Sequence, residues 1–432
     1  MLLVSKLFRI VEFRELNSIN WHRDHMNNKK LIFIIKNFNL FLLMLFIQGC
    51  SSGGTVVSNA QTLSYTVPYS NTIQNPNTNI LSDPTINVQL FGKLLTTPLD
   101  TGSRGFFVTQ NLLFPESFVP VGNSGSIFYW SSGRRFNGVW VTTNVRYLDA
   151  VDSSTRESVI ASATIPVLIV QSITCESGSW PNSCGTPVTN PTIESTDEHT
   201  LNMGIGFDRT GYQQVPDDDQ NNQQYNPFLN LDAMKLEQMR AGYILGLNDV
   251  QFGLTKANTA GGFAFGKLAP TGFSQVAGSP PDWQPATGNV TLKLNGKESV
   301  YPIGEAVIDI GIADMLLTLQ NQPTSGSLLN GDVTVFLLGP NGTAMYTFNP
   351  SESTPQATAP SIVNWSAPQA GVFSQNQPPF SNNFVNTGRN VLNCFNYLYD
   401  AQDGYIGLRL LANIKGCAHA KVVPAEPNPL WR

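Results

Sequence analysis

Asp100-Thr101-Gly102-Ser103 and, some two hundred residues later, Asp309-Ile310-Gly311 are the residues of this chain best suited to chemistry. The first follows the alternating run Ile86-Asn87-Val88-Gln89-Leu90, and the second follows the apolar run Ala306-Val307-Ile308. One carboxylate before a glycine turn is commonplace. Two of them, each opening a separate half of a β-rich chain, suggest facing carboxylates at a pseudo-two-fold axis. Like charges held together share one proton, so one acts as acid and the other as base toward a water.

Other chemistry is thin. Beyond residue 49 only His199 and His419 remain, too few for a multi-histidine zinc site, so no metal is expected. His199 lies in Asp197-Glu198-His199-Thr200 and reads as an exposed loop residue. No Gly-x-Ser-x-Gly elbow supports a serine hydrolase, and no phosphate-cradling glycine loop stands between a strand and a helix. The expected enzyme therefore uses no cofactor. Asp217, Asp218 and Asp219 lack the ordered spacing of a calcium loop and read as a solvated loop.

The elements that must position the two carboxylates are short and alternating. Strands are predicted at Thr85–Leu90, Phe106–Thr109, Gly138–Val141, Thr164–Val170, Gln251–Leu254 and Gly262–Phe265. Others are predicted at Val290–Leu294, Ala306–Ile310, Val333–Leu338, Ala344–Phe348 and Tyr405–Leu410, with a last apolar block at Val391–Tyr399. Pro166 points to an edge strand or a strand start. Leu229–Leu245 reads as helical, with Met234, Met239 and Leu245 toward a core. The Asn/Pro/Phe mixture from Asn376 to Asn386 reads as loop.

Lys29-Lys30, the mostly apolar run Leu31–Phe46 and Ile47-Gln48-Gly49-Cys50 have the charge, apolar and small-residue order of an export signal. A cysteine just after the small residue resembles a bacterial lipoprotein signal, in which Cys50 is lipidated. The strictly apolar part is short for a membrane span of ~20 residues, which is the alternative. Met26 is the better start for such a signal. Ser51-Ser52, with no aspartate, resembles the pattern sent to an outer membrane, so the expected place is the bacterial cell envelope, facing periplasm or surface. The remaining 383 residues carry 18 basic and 27 acidic side chains, a net charge of −9. That acidic balance without a basic cluster argues against nucleic acid. Membrane contact is expected through the N-terminal lipid alone, and the chain is expected to be a monomer. Residues 1–49 read as signal, 50–80 as a flexible tether, 81–245 as an N-terminal lobe and 246–432 as a C-terminal lobe. Cys175 and Cys184 bracket a loop suited to a disulfide, and Cys394 and Cys417 offer a second pair, unless Cys394 is a buried thiol.

Taken in order, several segments resemble the pepsin-like aspartic proteases over roughly Asp83–Leu410. Leu99-Asp100-Thr101-Gly102-Ser103 is similar to that family's first active-site loop, with Asn87–Lys93 like its leading hairpin. Met203-Gly204-Ile205-Gly206-Phe207 is similar to the apolar segment that crosses under the first aspartate. Gly261–Gly266, Pro281-Asp282-Trp283-Gln284 and Val290–Gly296 resemble the approach to the second loop, Val307-Ile308-Asp309-Ile310-Gly311. Asn393–Leu408 resembles the closing strands. The closest likeness is to an uncharacterised group of bacterial exported proteins with such a core, in which an element like Asn386-Thr387-Gly388 recurs. The resemblance implies a mainly β, bilobal fold with pseudo-two-fold symmetry. It implies that Asp100 and Asp309 are catalytic, with water attacking the carbonyl of an extended peptide. Gly102 and Gly311 would let the backbone approach the carboxylates. Thr101 would reach the opposite loop's backbone, and Ser103 the outer oxygen of Asp100.

The chain also departs from the family. Ile310 and Ile312 stand where hydroxyl residues support the second aspartate. Asn386-Thr387-Gly388 is more polar than the family's second crossing segment. Arg104 either pairs with Asp100, holding both aspartates ionised, or points to solvent. Tyr129 or Trp130 either covers the cleft as a flap residue or packs as a strand aromatic. Arg134 and Arg135 either favour an acidic ligand or form a solvated turn. Three functions follow: an exported aspartic endopeptidase, a catalytically weak or inactive peptide- or ligand-binding protein of the same fold, and an unrelated β-sandwich with ordinary Asp-x-Gly turns.

Overall fold

Ile86, Val88 and Leu90 alternate with polar residues and are fully buried on one face of the strand Thr85–Leu90. Phe91 and Gly92, at φ 48° and 78°, turn the chain back in the two-residue manner that suits a twisted hairpin. Lys93–Asp100 then pairs antiparallel with the first strand and carries Asp100 to its end. The computed structural model describes residues 62–431 apart from 72–81, 115–119, 130–133, 176–200, 208–221, 273–274, 321–325, 328–330, 340–342, 352–355, 361, 367–382, 413, 415 and 426. The described chain is mainly β.

One sheet runs Thr85–Leu90, Lys93–Asp100, Leu201–Ile205, Arg104–Thr109, Ala161–Cys175, Arg134–Tyr147, Asn123–Tyr129. Thr85–Leu90 pairs back onto Arg134–Tyr147 at Val88↔Tyr147, closing six of these strands into a barrel. Closure satisfies edge hydrogen bonds that an open sheet would leave to solvent.

A second sheet contains Ala286–Leu294, Lys297–Val307, Met315–Thr318, Val363–Ser366 and Phe384–Asn386 among its nine strands. Its pairings repeat those of the first. A hairpin ends at each aspartate loop, Lys93–Asp100 in one case and Lys297–Val307 in the other. A later strand lies parallel to each hairpin's second strand, Leu201–Ile205 and Phe384–Asn386. The strand after each aspartate loop runs antiparallel to that crossing strand. The same strand lies parallel to one further strand, Ala161–Cys175 or Val363–Ser366.

The third sheet draws on both sides of the expected 245/246 boundary. Its order is Phe263–Lys267, Tyr405–Leu410, Phe395–Asp400, Gly242–Leu245, Asp249–Phe252, Tyr65–Pro68, Val151–Asp152. One continuous apolar core runs from Val67 through Leu99, Phe106, Tyr243 and Val290 to Tyr399 and Ala420.

Four sequence expectations need correction. Tyr65–Pro68, inside the expected tether, is a strand paired with Asp249–Phe252, because Val67 is wholly buried there. Within Leu229–Leu245 the α-helix is confined to Asp232–Lys235. Glu237 takes φ 58°, and Gly242 packs where an added methyl would meet the Tyr399 carbonyl at 2.6 Å. Met234, Met239 and Leu245 are nonetheless buried. Pro166 lies in a strand flanked on both sides, but the pairing with its parallel neighbour begins one residue later at Phe106↔Val167, so the absent N–H is tolerated. Phe384–Asn386 is a strand rather than loop, held parallel to Glu305–Val307. Residues 1–61, including Cys50, lie outside the described residues.

Candidate active site

The two hairpins bring Asp100 and Asp309 together. Each faces the other's glycine. A methyl on Gly311 would lie 2.5 Å from Oδ1 of Asp100, and one on Gly102 would collide with the carboxylate of Asp309. Only glycine allows this approach at either loop. Within each loop the glycine N–H donates to its own aspartate: Gly102 to Asp100 Oδ1 at 2.6 Å and Gly311 to Asp309 Oδ1 at 2.9 Å.

Thr101 ties the loops across the middle. Its hydroxyl donates to the Ile308 carbonyl at 2.5 Å and accepts the Ile310 N–H at 3.0 Å. Ile310 returns no such bond, being a fully buried hydrocarbon. On the outer side of Asp100, Ser103 donates to Oδ2 at 2.5 Å. Tyr129 donates to Ser103 at 2.9 Å, and Asn202 reaches Tyr129 at 2.6 Å, Ser103 at 3.2 Å and Asp100 Oδ2 at 3.4 Å. Asn386 donates to Oδ2 of Asp309 at 2.6 Å and is oriented by the Gly388 N–H, which donates to its Oδ1 at 3.0 Å.

Burial, and next the Asp100 charge, raise the Asp309 pKa to about 7; the Asn386 and Gly311 donors pull the other way. A carboxyl that holds its proton near neutrality beside a second carboxyl can donate to a carbonyl oxygen while its neighbour takes a proton from water. Burial, with the Asp100 charge, pushes the Tyr129 phenol well above its usual range, so it stays a neutral donor.

Arg104 follows neither of its two expected courses. It is fully buried, and its guanidinium meets the equally buried Asp282 at 2.9 Å. Asp282 also receives Gln223 Nε2 at 2.6 Å and the Trp283 N–H at 3.0 Å. The charge beside Ser103 thus has a carboxylate partner from a segment 178 positions away.

Tyr129 packs in the strand Asn123–Tyr129 against Phe107 and Phe136, with its hydroxyl on the Asp100 network. Trp130, the alternative flap residue, lies outside the described residues. Arg135 stacks over Phe128 and donates to Ser126 at 3.1 Å. Cys394 and Cys417 form a disulfide, so Cys394 is not a free thiol. Cys184, the partner expected for Cys175, lies outside the described residues, as do His199 and Asp217–Asp219. Among the described residues no group of three His, Cys, Asp or Glu side chains could hold a metal ion.

Two site residues escape a reading of the sequence, Asn202 and Asn386. Asn386 sits in a noticed element, but nothing local says that its amide points at a carboxylate. No protein-family model matches the chain, and none of the curated proteins matches it.

Proposed function

We propose that the chain is an exported aspartic endopeptidase with a pepsin-like, bilobal fold, in which Asp100 and Asp309 activate water against the carbonyl of an extended peptide. The observation that carries this reading is the facing carboxyl pair, each member held against the other loop's glycine. The twice-repeated hairpin, loop and crossing-strand pattern supports the pseudo-two-fold architecture. Asp309 is the acid of the pair, keeping its proton to about pH 7, and Asp100 is the base. Water is deprotonated by Asp100 as it attacks. Asp309 protonates the carbonyl oxygen, and the tetrahedral intermediate then collapses with proton return to the leaving amine. Thr101, Ser103, Gly102 and Gly311 keep both groups in place, since misplacement by about 1 Å can slow such a reaction a hundredfold.

The export signal and Cys50 complete the proposal: a lipoprotein of the bacterial outer membrane, anchored by its N-terminal lipid. The test is cleavage of an unfolded protein by washed membranes from expressing cells, between pH 3 and 8. Cleavage is expected to rise on acidification through about 7 and to vanish in Asp100→Asn and Asp309→Asn. Cys50→Ser is expected to move the activity to the soluble fraction. Tight binding of the unfolded protein without cleavage would instead support a binding protein built on the same pair.

A further inference from the structure

Asn202 and Asn386 occupy the same place in the two halves. The first crossing strand is parallel to the first hairpin strand with Asp100 opposite Gly204, and Asn202 lies two residues before that glycine. The second pairs Val307 with Asn386, and continuing this register by two residues sets Asp309 opposite Gly388. Asn386 is again two residues before the glycine. Each amide nitrogen lies within hydrogen-bond reach of Oδ2 of its own aspartate.

We infer that Asn202 and Asn386 are a matched pair of positioning residues that present a donor to Oδ2 of each aspartate and so lower the proton affinity of the dyad. The inference rests on the dyad reading and adds to it the control of that site. The argument is one of donor direction. An amide N–H can donate and cannot accept, whereas a hydroxyl does either. The Gly388 N–H must donate to Asn386 Oδ1, which fixes the amide so that Nδ2 faces Asp309. A donor fixed on Asp309 Oδ2 favours the ionised carboxylate. Asp309 Oδ1 in turn receives the Gly311 N–H.

On the other side the same logic runs through a chain. Asn202 donates to the Tyr129 oxygen, so the Tyr129 hydroxyl turns to Ser103, and the Ser103 hydroxyl turns to Asp100. Every proton along that path faces the carboxylate, and such aligned bonds strengthen one another. The arrangement also answers the two isoleucines. Ile310 and Ile312 bring no hydroxyl to the second loop, and Asn386 supplies a donor to Asp309 from a different strand.

The test is carboxyl titration by carbon-13 NMR in protein labelled at aspartate, read without any substrate. In Asn386→Ala the Asp309 midpoint is expected to move upward by about one pH unit, a tenfold rise in proton affinity. Asn386→Ser is expected to return it toward the parent value, because a hydroxyl restores a donor. Asn202→Ala is expected to raise the pair's midpoint too, and it carries the test if Asn386→Ala does not fold. An unmoved midpoint in a folded Asn386→Ala or Asn202→Ala, or equal shifts in Asn386→Ala and Asn386→Ser, overturns the inference. A chain that titrates as stated yet cleaves nothing would lose the peptidase proposal and keep this one.

Discussion

Asp309 links the chemistry of the site to the stability of the chain. The residue is 7% exposed, and its pKa is raised from 3.8 to about 7 by burial and then by the Asp100 charge. A group that binds its proton more tightly folded than unfolded favours the native state when protonated. That contribution is complete below about pH 3.8 and is lost as pH rises through about 7. We therefore expect the stability of the parent protein to decline across this window relative to Asp309→Asn, whose amide does not titrate. The expected divergence is roughly 2–4 kcal/mol between pH 4 and pH 8. Urea denaturation of both proteins at several pH values measures it, and parallel profiles would count against a buried, proton-holding Asp309. The site is thus built against local stability at neutral pH, as strained functional groups commonly are.

The strand Arg104–Thr109 shows how an element can be anchored through one end. All six of its residues are buried, and its first residue forms the fully buried ion pair with Asp282. Such a pair contributes little net stability over a hydrocarbon replacement, but removing one member strands the other's charge. Asp282→Ala is expected to destabilise by about 3–5 kcal/mol. The double variant Arg104→Met with Asp282→Leu should lose far less than the two single changes together, a coupling that a double-mutant cycle by denaturant titration reads directly. Additive losses would mean that the pair is not the anchor. That partnership was illegible in the sequence because it joins residues 178 positions apart with no local signature. Elements with clear apolar patterning were legible: Thr85–Leu90, Ala344–Phe348 and Tyr405–Leu410 have the bounds expected of them. Tyr65–Pro68 and Phe384–Asn386 were hidden because three or four residues in polar surroundings carry too little periodicity, and their partners lie far along the chain. The carboxylates were legible because a strand, an aspartate and a glycine are consecutive. The two amides acquire meaning only from the sheet register.

At the scale of the whole molecule, the third sheet makes the two halves depend on each other. Tyr65–Pro68 finds its partner in Asp249–Phe252, and Gly242–Leu245 finds one of its partners in Phe395–Asp400. Arg240 adds charge to this junction, meeting the buried Asp400 at 2.8 Å and Asp403 at 2.5 Å. Trp431 lies 5.2 Å from the Arg240 guanidinium and donates to Thr259 at 2.8 Å. The Cys394–Cys417 disulfide ties the start of Phe395–Asp400 to the approach to Ala420–Val422, which belongs to the second sheet. Residues 62–245 alone would keep Tyr243, Ile244 and Leu245, buried in the intact chain, without the strand from Phe395 to Asp400 that covers them. A strand edge and an apolar face left open in this way favour aggregation over folding. We expect residues 62–432 to unfold in a single calorimetric transition, with van't Hoff and calorimetric enthalpies in agreement. Residues 62–245 expressed alone should show no cooperative transition in near-ultraviolet circular dichroism, and should gain one when residues 246–432 are supplied in trans. Two resolved heat-capacity peaks, or a first half that melts cooperatively by itself, would mean that the shared sheet is an interface between independent lobes. In that case the dyad would depend on docking of two folded bodies rather than on one continuous fold.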